Sequence, residues 1–233
     1  MSDDLTQLAL VHGTDKVTAH KYTQHYHRHF ADLRAEPIKL LEIGIGGYDN
    51  PNFGGSSLRM WRDYFPKGQI VGLDYYPKPG VAGDRIKTYA GSQASPQTIA
   101  KILDDVEGNQ FDIIIDDGSH RPEHVIATFW MLFQHVTTGG WYVIEDVQTS
   151  YWPGFGGVVA PHTRAPTSIE FFKTLIDGLN WEELHAPSYS PNYTDTNIVG
   201  MHFYHNLIFI QKGENKEGSN LVLNNKNPWI SGA

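Results

Sequence analysis

Apolar and polar positions follow two periodicities along the chain. Tyr22, Tyr26, His29 and Phe30 fall at i, i+4, i+7 and i+8, which predicts a helix over 18–32. Ile38 to Ile45 is a nearly continuous apolar run ending in glycines, the pattern of a strand buried on both faces of a parallel sheet. The same reasoning predicts helix 56–65, strand 69–74, a short strand 85–90, helix 96–106 and strand 111–117. Helix 121–135, strand 140–146, helix 167–179 and strand 206–211 follow. Strands alternating with helices predict a doubly wound α/β sheet. Ligands of such sheets bind beyond the carboxyl ends of the strands. Gly44–Gly47, Asp74, Asp116–His120 and Glu145–Asp146 are therefore expected along a single edge.

Composition narrows the chemistry. The 233 residues are enough for one large domain. With no cysteine, a disulfide scaffold, a thiolate zinc site and an iron–sulfur cluster are excluded. The net charge of −8 argues against general nucleic-acid binding through phosphates. The N-terminus has no basic n-region with an apolar core, and no window holds the roughly 18 apolar residues of a membrane span. A cytoplasmic protein is expected. No internal repeat or low-complexity tract is present, and the polar stretch 213–220 reads as a surface turn or short tail.

Leu41-Glu-Ile-Gly-Ile-Gly-Gly47 runs a strand into a glycine turn, where the backbone can turn sharply and approach a ligand closely. The third glycine of the dinucleotide fingerprint is missing from its place, which weakens a nicotinamide or flavin reading. Glu42 and Asp74 are both acidic. A carboxylate in the position of Asp74 accepts the hydroxyls of a ribose and repels a ribose phosphate. An adenosine that carries positive charge suits this pocket better than a pyrophosphate. An ordinary strand-to-loop connection would account for the glycines alone, though less well for Asp74 beside them. Ser92 and Gln93, after the third strand, could bring an amide to an adenine ring or could simply form a turn.

Asp116-Asp-Gly-Ser-His120 closes the fourth strand and Glu145-Asp146 the fifth, so several carboxylates meet and would repel unless a cation joined them. Oxygen donors without cysteine favour Mg²⁺ or Mn²⁺ over zinc. Three carboxylates, a divalent ion and one positively charged cofactor sum to a neutral site. Against this, Asp117 could cap the following helix, with Glu145 and Asp146 in a solvated loop. His120 lies three residues beyond Asp117, where a neutral imidazole could take a proton from a polarised hydroxyl. A surface histidine at a helix start is the alternative.

The remaining histidines read as packing. His25 and His27 sit at i and i+2, which point to different faces of a helix, so they do not chelate. His12, His20 and His29 share that crowded segment, His202 and His205 border an apolar strand, and His124 reads as structural. The glycine-rich loop over 147–166 carries Tyr151, Trp152 and Phe155, and either acts as a lid or is pinned by aromatic packing. Aromatic faces suit a sugar ring or another flat acceptor.

These segments together resemble the metal-dependent sugar O-methyltransferases. The resemblance rests on His12-Gly-Thr-Asp-Lys16, Tyr22 and Tyr26, Leu40-Leu-Glu-Ile-Gly-Ile-Gly-Gly47, Asp116-Asp-Gly-Ser-His120, Val143-Ile-Glu-Asp146 and Met201-His-Phe-Tyr-His-Asn-Leu207. It runs from about residue 10 to 212. It implies a Rossmann-like, doubly wound, mostly parallel seven-stranded sheet of the class I methyltransferase type. This would be a single domain over 1–233, with an N-terminal helical extension over 1–35. It implies S-adenosylmethionine as cofactor, Asp117, Glu145 and Asp146 as Mg²⁺ ligands, and His120 as general base. Glu42, Gly44, Gly46, Asp74, Ser92, Gln93 and Asp116 would line the cofactor pocket, with Thr14 nearby. Gln148, Tyr151 and Trp152 would contact the acceptor. The implied reaction methylates a sugar hydroxyl of a saccharide, a polysaccharide precursor or a glycosylated natural product, and the implied assembly is a homo-oligomer. An O-methyltransferase of a catechol-like metabolite and a non-catalytic accessory subunit are the other readings.

Overall fold

In the computed structural model, residues 4–159, 166–184 and 188–221 are described. Three helices come first: α1 (Asp4–His12), α2 (Asp15–Thr18) and α3 (Thr23–Phe30). Then follow β1 (Lys39–Ile43), α4 (Ser56–Tyr64), β2 (Gln69–Asp74), β3 (Ile86–Ala90) and α5 (Pro96–Asp104). The second half carries β4 (Phe111–Asp116), α6 (Pro122–Leu132), β5 (Val136–Ile144), α7 (Ser168–Thr174) and α8 (Tyr193–Asn197). It ends in the hairpin of β6 (Ile198–Tyr204) and β7 (Leu207–Lys212).

The seven strands form one sheet in the order β3-β2-β1-β4-β5-β7-β6. Strands β1 to β5 pair in parallel, and β7 runs antiparallel to both β5 and β6. Side chains of a strand alternate between faces, and here each face meets helices. Ile114, Tyr142, Ile144, Ile208 and Ile210 face the layer of α5, α6 and α7. Ile113, Ile115, Trp141, Val143 and Phe209 face α1, α3 and α4. Burial on both faces is why these strands read as continuous apolar runs.

Local signals fix the helix starts. Ser95 caps α5 by accepting a hydrogen bond from the backbone N–H of Thr98, with Pro96 in the first turn. The helix expected over 18–32 is shorter: α3 begins at Thr23 and ends at Phe30, and α2, which ends at Thr18, precedes it. The helix expected over 167–179 stops at Thr174, and a 3-10 turn covers Asp177–Glu183. Residue patterning did not anticipate α1 or β6. Strand β6 is the sheet's edge, and only Ile198 of its residues is fully buried, so it lacks an apolar run.

The register aligns four strand ends. Ile43 is paired with both Leu73 and Asp116, and Asp116 with Ile144. The ladder continues past the strands, with Gly44 N donating to Leu73 O (2.8 Å), Asp117 N to Ile43 O (2.9 Å) and Glu145 N to Asp116 O (2.9 Å). The residues that follow the strands are thus fixed side by side. Among the described residues, no helix is long and apolar enough to cross a membrane.

Candidate active site

A cleft of about 950 Å³ opens at this carboxyl edge. One half is built from the glycine turn after β1. Gly44 has φ +95°, and a Cβ there would lie 2.0 Å from the carbonyl oxygen of Asp117. Only glycine allows that contact between neighbouring strand ends. Gly46, at φ +75°, would meet nothing within 4 Å. Asp74 is held by two backbone donors, Ile45 N to Oδ2 (2.9 Å) and Tyr76 N to Oδ1 (3.0 Å). Each carboxylate oxygen has a further lone pair for ribose hydroxyls. Gly44, Gly46, Asp74, Ser92 and Thr14 all line the cleft. Thr14 also caps α2 through its hydroxyl.

Three residues expected in the cofactor pocket are turned to other work. Glu42 is fully buried and Asp116 is 1% exposed, and neither lines the cleft. Strand alternation explains both, since Asp116 shares the face of Ile114 and Glu42 the opposite face. Gln93 lines the cleft, but its amide is engaged inward. The nitrogen donates to both oxygens of Asp116 (2.9 and 3.0 Å) and to Thr128 (3.1 Å), and the oxygen accepts from Ser119 N (2.7 Å). That amide shapes the loop 117–120 and is not free to reach a base. Burial pushes the Asp116 carboxyl up to about 6, opposed by the Gln93 bond.

The other half is acidic. Asp117, His120 and Asp146 are partly exposed, and their ligand atoms lie within 4.8 Å of one another. His120 Nε2 is 3.9 Å from Asp117 Oδ1 and 4.0 Å from Asp146 Oδ2. Asp146 Oδ1 accepts a hydrogen bond from the Tyr22 hydroxyl (2.7 Å), and His20 Nδ1 stands 3.6 Å from it. Burial and the bond to Asp146 raise the Tyr22 phenol far above its usual range, so it stays a donor. Two carboxylates facing the cleft offer oxygen donors suited to a hard divalent cation, and the imidazole of His120 stands beside them.

Glu145 lies behind this face, 3% exposed. Its Oε1 accepts from Lys16 Nζ and from the Tyr26 hydroxyl, both at 2.5 Å. Lys16 Nζ also meets Asp117 Oδ2 at 2.9 Å and Glu42 Oε1 at 3.1 Å. Burial would lower the Lys16 pKa, but Asp117, Glu145 and Glu42 together raise it well above normal. Lys16 went unnoticed as a site residue because its partners lie up to 129 positions away in the chain. Its place in the HGTDK segment was the available signal.

Among the loop residues proposed for the acceptor, Tyr151 and Trp152 are 39% and 49% exposed and do not line the cleft, and neither does Gln148. Phe155 is the aromatic that does, with its ring centroid 6.2 Å from that of His120. The loop forms two 3-10 turns, Val147–Tyr151 and Pro153–Phe155, and its positions 160–165 lie outside the described residues. The N-terminal histidines pack as expected: His12 on Asp63, His25 on Tyr204, His27 on Tyr64 and His29 on Tyr204. His124 bonds Ser119 and lines the cleft.

No family model matches the chain. Curated proteins do. The mycinamicin VI 2''-O-methyltransferase of Micromonospora griseorubida is 48% identical over 217 residues, which make up 92% of this chain and 54% of that protein. The 8-demethyl-8-(2-methoxy-alpha-L-rhamnosyl)-tetracenomycin-C 3'-O-methyltransferase of Streptomyces olivaceus is 46% identical over 218 residues, 93% of this chain and 55% of that protein. The chain's close homologues are sugar O-methyltransferases. It spans about half the length of these curated relatives. The MycE methyltransferase of the mycinamycin pathway, solved with Mg and SAH, matches with a TM-score of 0.89 at 45% identity, covering 100% of this chain and 59% of that one. The sheet therefore has the class I S-adenosylmethionine-dependent methyltransferase fold, and the homology with sugar O-methyltransferases takes in both halves of the cleft.

Proposed function

We propose that this chain transfers a methyl group from S-adenosylmethionine to a hydroxyl of a sugar carried on a larger natural product, with a divalent cation bound at the acidic half of the cleft. The observation that carries this reading is the meeting of Asp74 with Asp117, His120 and Asp146 at one edge of the sheet, opening into a single cleft. Homology with sugar O-methyltransferases supplies the acceptor class.

Asp74 accepts the ribose hydroxyls, and the glycine turn with Thr14 and Ser92 walls the cofactor. Asp117 and Asp146 would hold the divalent cation from the cleft side, and Glu145, expected as a third ligand, is engaged by Lys16 and Tyr26 and would support them from behind. Mg²⁺ or Mn²⁺, when bound, acts as a Lewis acid toward an acceptor hydroxyl. His120 Nε2 receives the hydroxyl proton. The acceptor oxygen forms its bond to the methyl carbon while the electron pair of the breaking carbon–sulfur bond leaves on sulfur. A sulfonium is already a reactive donor, so positioning and exclusion of water account for most of the rate. Phe155 covers the His120 side of the cleft in this scheme. The same reading makes the working form a cytoplasmic homo-oligomer acting on small molecules and not on nucleic acid, which light scattering and cell fractionation check.

The test is a transfer assay with S-adenosylmethionine, Mg²⁺ and a set of rhamnosylated and other glycosylated acceptors, read by mass spectrometry. Methylated sugar and S-adenosylhomocysteine are expected in equal amounts. EDTA should abolish the reaction, and added Mg²⁺ or Mn²⁺ should restore it. A full rate in EDTA overturns the metal assignment, and transfer to catechols in place of sugars overturns the acceptor class.

A further inference from the structure

Among the described residues, two lysines are 1% exposed, and they meet opposite surroundings. Lys78 donates to the backbone carbonyls of Tyr48, Asn50 and Phe53 and so pins the loop after the glycine turn. Lys16 instead points its ammonium into three carboxylates, 2.5 Å from Glu145, 2.9 Å from Asp117 and 3.1 Å from Glu42.

Those three carboxylates make up a second group whose ligand atoms lie within 4.8 Å of one another. It shares Asp117 with the outer group of Asp117, His120 and Asp146. The two oxygens of Asp117 divide the work. Oδ2 turns inward to Lys16, and Oδ1 turns to His120 and the cleft. There are thus two cation seats back to back. In the inner one, Glu42 is fully buried, Glu145 nearly so and Asp117 partly exposed, and two buried carboxylates beside a third without a cation would be strongly destabilising. The ammonium donates to Asp117 and Glu145 and stands 3.1 Å from Glu42 as an ion pair, and being tethered to α2 it cannot exchange with solvent ions.

We infer that Lys16 is the resident cation of the inner seat, a positioning residue that limits the protein to one exchangeable divalent ion on the outer face. This rests on the metal-dependent reading above. By holding Asp117 Oδ2 and Glu145 Oε1, Lys16 also selects which carboxylate oxygens are left to face the cleft. Removing its charge while keeping its bulk opens the inner seat to a second ion.

The experiment is a Mn²⁺ titration of the full chain by calorimetry and electron paramagnetic resonance, comparing wild type, Lys16→Met and Lys16→Met/Glu42→Gln. Circular dichroism checks that each is folded. Wild type is expected to take up one ion. Lys16→Met should take up two, with the spectrum broadened by coupling between ions that share Asp117. The double variant removes one positive and one negative charge together, so it keeps the inner seat free of excess repulsion and decides the matter should the single variant not fold. It too should bind a second ion, more weakly. A folded variant that titrates to one ion, as wild type does, overturns the role of Lys16 and leaves the metal reading intact. Wild type that takes up no ion overturns the metal reading and the proposal with it.

Discussion

His120 at φ +56° and Asp146 at φ +52° both adopt the left-handed backbone that side chains with a Cβ rarely occupy. Such a position costs about 1–2 kcal/mol relative to right-handed geometry, and here it aims both side chains into the cleft. Asparagine tolerates this backbone, so His120→Asn tests the proton acceptor without disturbing the turn. Methyl transfer should fall about 10²–10⁴-fold, the usual contribution of a general base, while S-adenosylhomocysteine binding by calorimetry stays unchanged. Near-wild-type turnover would sink the assignment. Asp74 has a different readout. A hydrogen bond to a charged group contributes ~1.5–3 kcal/mol, so Asp74→Ala should weaken S-adenosylhomocysteine roughly 10- to 100-fold and leave Mn²⁺ binding in place. That Asp117, His120 and Asp146 meet at one edge was legible from the sequence, because they follow predicted strands. Glu42 and Asp116 were misplaced because the last residues of a strand alternate in direction. Asp116 has the parity of Ile114, on the face covered by α5, α6 and α7, and Glu42 has the opposite parity, on a face that is covered as well.

The glycine turn and the N-terminal helices show what elements add. Gly44→Ala forces a Cβ to 2.0 Å from the Asp117 carbonyl at φ +95°, whereas Gly46→Ala meets only an unfavourable φ. The first should cost at least ~2 kcal/mol in urea unfolding and the second about 1 kcal/mol. Equal losses would mean that the close contact between β1 and β4 does not govern the turn. On α3, His29 bonds Tyr204 and packs against Trp141, Phe209 and His202. Burial, then His202 and Arg28, lower its pKa from 6.5 to about 4. The unfolded chain therefore binds this proton first. Its contribution is complete above pH 6.5 and is lost as pH falls toward 4. Asp116, raised to about 6, gives the opposite slope in the same window, so the informative quantity is the difference between His29→Gln and wild type. The variant should lose less stability than wild type between pH 7 and pH 5 in denaturant titrations. The long buried strands were legible for the reason they are stable, both faces being covered. Edge strand β6 was not, because it is mostly exposed, and α2 was not, because the helical periodicity begins only at Tyr22, the N-cap of α3.

At the scale of the molecule, the charge of −8 is unevenly spread. Glu42, Asp116, Asp117, Glu145 and Asp146 gather where β1, β4 and β5 end, and Lys16 is the ammonium that neutralises part of that group. The sheet gains this arrangement from sequence-distant contacts: α2 and α3 reach across the edge through Lys16, Tyr22 and Tyr26 to residues more than 100 positions later. A cation that binds the folded edge and not the unfolded chain must stabilise the whole fold. At a hundredfold excess over its dissociation constant, that linkage is about 2.7 kcal/mol, or roughly 5–11 °C in Tm for a domain of this size. Mg²⁺ or Mn²⁺ should therefore raise the melting temperature by this amount, and EDTA should reverse it. An equal ionic strength of KCl should not reproduce it, because screening of scattered surface charge is not specific to divalent ions. Asp146→Asn keeps a side chain suited to the left-handed backbone and an oxygen for Tyr22 but removes one ligand charge, so its shift should shrink or vanish. If Asp146→Asn melts with the wild-type shift, the divalent ion is bound elsewhere on the acidic surface and the outer seat of Asp117 and Asp146 is the wrong assignment.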